Sequence, residues 1–271
     1  MFLLRHQTDA GPRWALDSNF LPPDLTLGNL LELSAEAVAT RLSEVVTAQA
    51  ARGPLLAPLE PQHEVWAAGV TYLRSRDARK AESQAAVFYE LLYEAERPEV
   101  FFKAVGWRVA GAGAPIRVRV DSRWNVPEPE LVLAFNSRLE IVGYCAGNDV
   151  SSRDIEGANP LYLPQAKVYN GSCALGPKIA LTGAAGLADL PINLTIKRAS
   201  EIVFRGETST ASMKRKPEEL LAWLGRELSF PLGGFLMTGT GIVPGDDFSL
   251  RPGDVVRVRV GELELENPVS E

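Results

Sequence analysis

The sequence predicts a mainly β, α+β protein of sandwich or roll type, preceded by a small N-terminal unit. Three observations carry this. Short apolar runs outnumber helical patterns beyond residue 61. Several of them alternate with period 2, as in IRVRV at 116–120 and VRVRV at 256–260, which puts every second side chain on one face. No regular strand–helix–strand alternation appears, so a doubly wound parallel sheet is not expected.

Element by element, Leu30, Leu33, Ala37, Leu42 and Val46 recur at helical spacing and predict one helix over 26–46. Residues 51–61 carry Gly53, Pro54, Pro58 and Pro61 and read as a linker. The boundary therefore divides 1–60 from 61–271. Strands are predicted at 65–70, 100–104, 116–120, 131–135, 139–146, 178–181, 192–196, 202–204 and 255–260. Two helices interrupt them. One spans 77–96 and stops at Arg97 and Pro98. The other starts at Pro217, where a missing N–H costs nothing, and runs through Trp223 to Leu228.

The 271 residues carry a net charge of −6. That disfavours a nucleic-acid partner, because counterion release needs clustered Lys and Arg. The one basic cluster, Lys214, Arg215 and Lys216, reads as a solvated surface turn. Two cysteines give no disulfide framework, and Cys145 in its apolar run reads as a buried free thiol. No run approaches the roughly 18 apolar residues of a membrane span. The opening MFLLRHQTDAGPRW is charged too early for a signal peptide. A cytoplasmic protein with no membrane partner is expected.

The chemistry starts at VPEPELVLAF, residues 126–135. Residues two apart in a strand share a face, so Glu128 and Glu130 project side by side. Pro129 lacks an N–H and marks a strand entry or edge. Two adjacent carboxylates repel, which is tolerable if both are solvated or if a cation lies between them. A second acidic stretch, GNDVSSRD at 147–154, follows the next strand after the polar turn Asn136, Ser137, Arg138. Two runs joined by a short turn make a hairpin, which returns Asp149 to Glu128 and Glu130. Three converging carboxylates suit Mg²⁺, Mn²⁺ or Ca²⁺ rather than zinc.

These motifs in this order resemble the fumarylacetoacetate hydrolase family. They are Glu128-Pro129-Glu130, then NDVSSRD, then Lys167 ahead of Gly176 and Pro177, then Thr238-Gly239-Thr240, with the closing LRPGDVVRVRVGELELENPV. The resemblance implies a family-type β-sandwich roll, a homodimer and a 2-oxo acid substrate held on one divalent metal. It implies Glu128, Glu130 and Asp149 as metal ligands and Lys167 as the active-site lysine. Thr240 would contact the substrate carboxylate, and Arg153 would line the pocket or brace Asp149 or Asp154.

Hydrolases of the family carry Asn-Tyr-x-x-His-x-x-Glu after the first core strand. Here Thr71 and Tyr72 are followed by Ser75 and Ala78 at the histidine and glutamate positions. The only histidines, His6 and His63, lie outside that motif and read as surface or packing residues. Without a water-activating base, C–C hydrolysis is hard to write. RPEVFFKA at 97–104, DSRWNVPEPE at 121–130 and EGANPLYLPQAKVY at 156–169 resemble instead the dehydratase branch acting on 2-keto-3-deoxy sugar acids. The implied reaction is loss of water from a 2-keto-3-deoxy-D-arabinonate-type acid to give 2,5-dioxopentanoate. Lys167 is the first choice for the base at C3, and Glu99 for the group that protonates the departing hydroxyl, although their roles could be exchanged. Glu99 could alternatively pair with Arg97 or Lys103. Lys103 is expected at the pocket rim, and Tyr72 and Gln165 complete the substrate-binding set. Residues 74–96 are a lid candidate. Two rivals remain: an acylpyruvate-type hydrolase or 2-oxo acid decarboxylase of the same family, and a non-catalytic metal- and 2-oxo acid-binding member.

Overall fold

The computed structural model describes residues 1–45, 47–73 and 91–271. Among these, sixteen strands form: β1 (Phe2–Thr8), β2 (Gly11–Leu16), β3 (Asn19–Phe20), β4 (Glu64–Gly69), β5 (Glu99–Val105), β6 (Ile116–Arg117), β7 (Asn125–Val126), β8 (Pro129–Phe135), β9 (Ile141–Asp149), β10 (Ser151–Ser152), β11 (Cys173–Leu181), β12 (Pro191–Arg198), β13 (Glu201–Ser209), β14 (Gly234–Met237), β15 (Val255–Val260) and β16 (Leu263–Ser270). The helices are α1 (Leu27–Leu31), α2 (Ala35–Val45), α3 (Arg153–Ala158), α4 (Leu163–Lys167) and α5 (Pro217–Leu224).

A nine-stranded sheet runs in the order β3-β2-β1-β11-β9-β8-β14-β4-β5, and a five-stranded sheet runs β13-β12-β15-β16-β6. The second packs on the first through contacts of β12, β15 and β16 with β8, β9 and β11. α2 contacts β9. The central strands β8 and β9 are therefore buried along their whole length. Their continuous apolar runs follow from having both faces covered. β15 and β16 alternate instead, with Val256, Val258, Val260, Leu263 and Leu265 inward and Arg259 and Glu264 exposed. Each fully buried Val or Leu contributes roughly 1.5–3 kcal/mol. The mainly β, α+β expectation holds.

Local expectations differ in instructive ways. The single helix over 26–46 is two helices, α1 and α2, with 32–34 between them. Thr26 caps α1 in a reciprocal pair with Asn29. β1 and β2 are not among the predicted strands; β1 pairs with β11 through Phe2↔Ala180 and Leu3↔Ile179 and ties the N-terminal segment to the large sheet. The predicted strand 116–120 pairs only at Ile116 and Arg117. The chain then leaves the sheet, and Val120 is exposed. The predicted strand 139–146 instead runs from Ile141 to Asp149, so the polar motif residues Asn148 and Asp149 still belong to the ladder. α5 ends at Leu224, four residues earlier than expected.

The basic cluster needs correction. Arg215 is buried, not solvated: it donates to the carbonyls of Ala95 and Glu96 and to Glu219, while Lys214 donates to the Tyr93 carbonyl. Cys145 and Cys173 are both buried free thiols, as expected for Cys145. The lid candidate and the helix over 77–96 fall largely outside the described residues, as do Ser75 and Ala78; residues 91–94 are helical.

Candidate active site

The β8–β9 hairpin builds the acidic centre. Its register sets Pro129 opposite Asn148 and Glu130 opposite Gly147. Asp149 therefore lies beside Glu128, and the Asp149 amide donates to the Glu128 carbonyl at 2.9 Å. Pro129 is the first residue of an interior strand, where its missing N–H breaks no ladder. Asn148 Oδ1 accepts from the Glu128 amide at 3.1 Å and fixes the entry. One ligand atom from each of Glu128, Glu130 and Asp149 lies within 4.8 Å of the other two. All three residues are buried, so the solvated strand-start reading is overturned.

Burial of three carboxylates demands compensation. Three buried cations supply it: Lys103, Arg153 and Lys167. Arg153 Nη2 donates to Glu128 Oε1 at 2.7 Å, so it braces Glu128 rather than Asp149 or Asp154. Lys167 Nζ, at the end of α4, donates to Glu128 Oε2 at 2.6 Å, Asp149 Oδ2 at 3.0 Å and Ser151 Oγ at 2.6 Å. Lys103 Nζ pairs with Asp149 Oδ1 and donates to the carbonyls of Val150 and Lys167. It is fully buried beneath the ligands and not at the rim, because on β5 its side chain points inward among three acceptors. Glu130 takes a different partner, the Gly239 amide, at 2.6 Å from Oε2. Burial first, then the nearby Asp149 and Glu128 charges, push the Glu130 carboxyl well above the usual range; Lys167 and the Gly239 amide oppose this.

The donor set fits a hard cation. Each ligand is a carboxylate oxygen, and Asp149 Oδ1 accepts no well-angled hydrogen bond although it is in ion-pair contact with Lys103. An all-oxygen, anionic set of this kind suits Mg²⁺, Mn²⁺ or Ca²⁺.

A small cavity opens on this centre, lined by Ala68, Gly69, Val70, Phe101, Glu128, Asp149, Arg153, Lys167, Gly239 and Thr240. The structure thus brings Glu128, Asp149, Arg153, Lys167 and Thr240 together, as the motifs lead one to expect. Glu99 is half-buried on β5, opposite Gly69 of β4 and on the same face as Phe101. Arg97 stacks on the Trp223 ring, 4.7 Å from its centroid. Tyr72 is buried with its ring against Gly241, and burial and Glu130 both push its phenol upward. Gln165 is exposed on α4 and is not among the cavity-lining residues; its carbonyl accepts from Arg119. Sequence reasoning misses Ser151, Asn148 and Gly239 as site-builders. The first two sit inside NDVSSRD. Gly239, at φ 87°, sits inside Thr-Gly-Thr, and a glycine there is the available signal.

Both histidines are structural. His6 Nδ1 lies 3.0 Å from the Gly53 carbonyl. His63 is buried, its Nδ1 accepting from the Glu60 amide and its Nε2 3.1 Å from the Leu232 carbonyl.

Comparison with known proteins agrees with this geometry. The family model for the C-terminal domain of fumarylacetoacetate hydrolase matches residues 64–270. A probable 2-keto-3-deoxyxylonate dehydratase of Haloferax volcanii is 46% identical over 209 residues, covering 76% of this chain and 72% of that protein. The 2-dehydro-3-deoxy-D-arabinonate dehydratase of Saccharolobus solfataricus is 42% identical over 211 residues, covering 76% and 70%. A solved 2-keto-3-deoxy-D-arabinonate dehydratase, complexed with magnesium and 2,5-dioxopentanoate, superposes with TM-score 0.83 at 35% identity over 100% of this chain and 99% of that one. Motif order, the carboxylate centre and a match over most of the length lead to one conclusion: the chain belongs to the fumarylacetoacetate hydrolase family.

Proposed function

We propose that this protein is a Mg²⁺-dependent hydro-lyase that removes water from a 2-keto-3-deoxy sugar acid of the arabinonate type, giving 2,5-dioxopentanoate. The observation that carries the reading is the buried Glu128, Glu130, Asp149 triad with Lys167 Nζ in contact with two of its members. Similarity to dehydratases along most of the chain supports the choice of reaction.

A divalent cation held by the triad supplies Lewis-acid polarisation of the substrate's 2-keto group, which acidifies C3. Lys167 faces the same oxygens and takes the C3 proton. Glu99, packed against Gly69 of the cavity wall, donates a proton to the C4 hydroxyl as it leaves as water. Proton movement then converts the resulting unsaturated 5-hydroxy acid into the 2,5-dioxo product. Thr240 meets the substrate carboxylate, and Arg153 holds Glu128 in its ligating position. Lys103 acts from beneath, through Asp149 and the Lys167 carbonyl. Tyr72 and Gln165 complete the proposed substrate set.

The division into residues 1–60 and 61–271 belongs to this proposal, supported by a family match that begins at residue 64. A cytoplasmic homodimer is also proposed. The family resemblance supports the dimer, and the two free thiols support the location. None of the described helices is long and apolar enough to cross a membrane.

The deciding experiment is a substrate screen with and without Mg²⁺, following 2,5-dioxopentanoate from 2-keto-3-deoxypentonates and carboxylic acids from acylpyruvates. Metal-dependent 2,5-dioxopentanoate is expected. Cleavage of acylpyruvates with no aldehyde product would replace the reading by hydrolysis, and tight pyruvate binding without any turnover would replace it by a binding protein.

A further inference from the structure

Gly69 closes β4 directly opposite Glu99 of β5. Its backbone does not adopt the left-handed conformation that would call for glycine. The reason for glycine lies in space. A Cβ built on Gly69 falls 1.9 Å from Glu99 Oε2, 2.7 Å from its Cδ and 3.4 Å from its Cγ, and these are its three nearest atoms. The Glu99 carboxyl therefore lies on the bare α-carbon of Gly69. Gly69 and Phe101 both line the cavity that holds Glu128 and Lys167, so the carboxyl rests against a residue of the cavity wall.

We propose that Gly69 is a positioning residue for the reaction: the missing side chain is the seat that keeps the Glu99 carboxyl at the cavity wall. This rests on the reading of Glu99 as the proton-transfer group. The three atoms nearest to a Cβ all belong to the far end of one flexible side chain. A methyl at 69 therefore displaces the carboxyl without disturbing the fold, and misplacing a reacting group by about 1 Å can cost on the order of 10²-fold.

The test compares Gly69→Ala, Glu99→Gln and the double variant in the full chain with Mg²⁺ and 2-keto-3-deoxy-D-arabinonate. Gly69→Ala is expected to lose about 10²-fold in kcat with little change in KM. Its melting temperature and Mg²⁺ affinity should match the parent. Its pH–rate profile should lose the same limb that Glu99→Gln loses. Adding Gly69→Ala to Glu99→Gln should cost nothing further, since both remove one device. Full activity of Gly69→Ala beside an inactive Glu99→Gln overturns the proposal and leaves the role of Glu99 standing. An active Glu99→Gln overturns the role of Glu99 and the proposal with it. If Gly69→Ala fails to fold, Glu99→Ala is added to the same chain. Recovery of stability then supports the proposal, because the carboxyl alone filled the space; continued failure overturns it.

Discussion

Replacing Lys103 by methionine removes one charge from the centre while keeping an unbranched side chain of similar length. Lys103 Nζ faces Asp149 Oδ1 and the carbonyls of Val150 and Lys167, and no part of it reaches solvent. Without it, three buried carboxylates face two cations in place of three. Breaking a buried pair by removing one partner costs about 3–5 kcal/mol, because the remaining charge is left uncompensated. For a chain of 271 residues, 1 kcal/mol moves the melting temperature by roughly 2 °C, from the per-residue unfolding entropy. Lys103→Met is therefore expected to melt about 6–10 °C below the parent in EDTA. Mg²⁺ binds the folded state and should recover part of the loss by mass action. Differential scanning calorimetry with EDTA and with saturating Mg²⁺ measures both. A melting temperature within about 2 °C of the parent in EDTA would refute the reasoning, since it would mean that the buried ammonium compensates nothing.

Three further outcomes are expected. Lys167→Ala should retain Mg²⁺, measured by calorimetric titration, yet lose about 10²–10⁴-fold in turnover as a proton-transfer group is removed; Glu128→Gln should lose the metal itself, because a ligand and the partner of Arg153 go together. His63 should make the fold acid-sensitive. Burial lowers its pKa below the ordinary 6.5, with Glu60 opposing. Below 6.5 the unfolded chain binds a proton that the folded chain resists, so stability present above that pH falls as the solution is acidified towards the folded-state pKa. Chemical denaturation from pH 7.5 to 5 should show that decline, and His63→Gln should flatten it.

The acidic centre is readable in the sequence because it is local. Glu128 and Glu130 share a face by strand period alone, and a hairpin of some twenty residues returns Asp149 without help from the rest of the chain. Burial of the pair is not readable. It depends on β14 and on the second sheet, whose strands come mostly from beyond residue 190. Lys103 is misplaced by sequence reasoning for a related cause. A lysine near a strand end looks like a rim residue until the opposing acceptors are known, and those acceptors come from residues 149, 150 and 167. Arg215 looks solvated because two of its three named partners, the carbonyls of residues 96 and 95, are 119 and 120 residues away.

Sequence alone determined the mainly β class, the carboxylate cluster, its hard-cation chemistry and the family, because each rests on period, short-range register or motif order. Tertiary structure alone decided the counter-charges. The order β8-β14-β4-β5 brings the Gly239 amide to Glu130, Lys103 under Asp149 and the Glu99 carboxyl onto Gly69. Neighbours across a sheet can lie a hundred residues apart, and no local pattern encodes which strand lies beside which. Buried charge makes that order energetically decisive, since a carboxylate without its partner cannot remain ionised in the core.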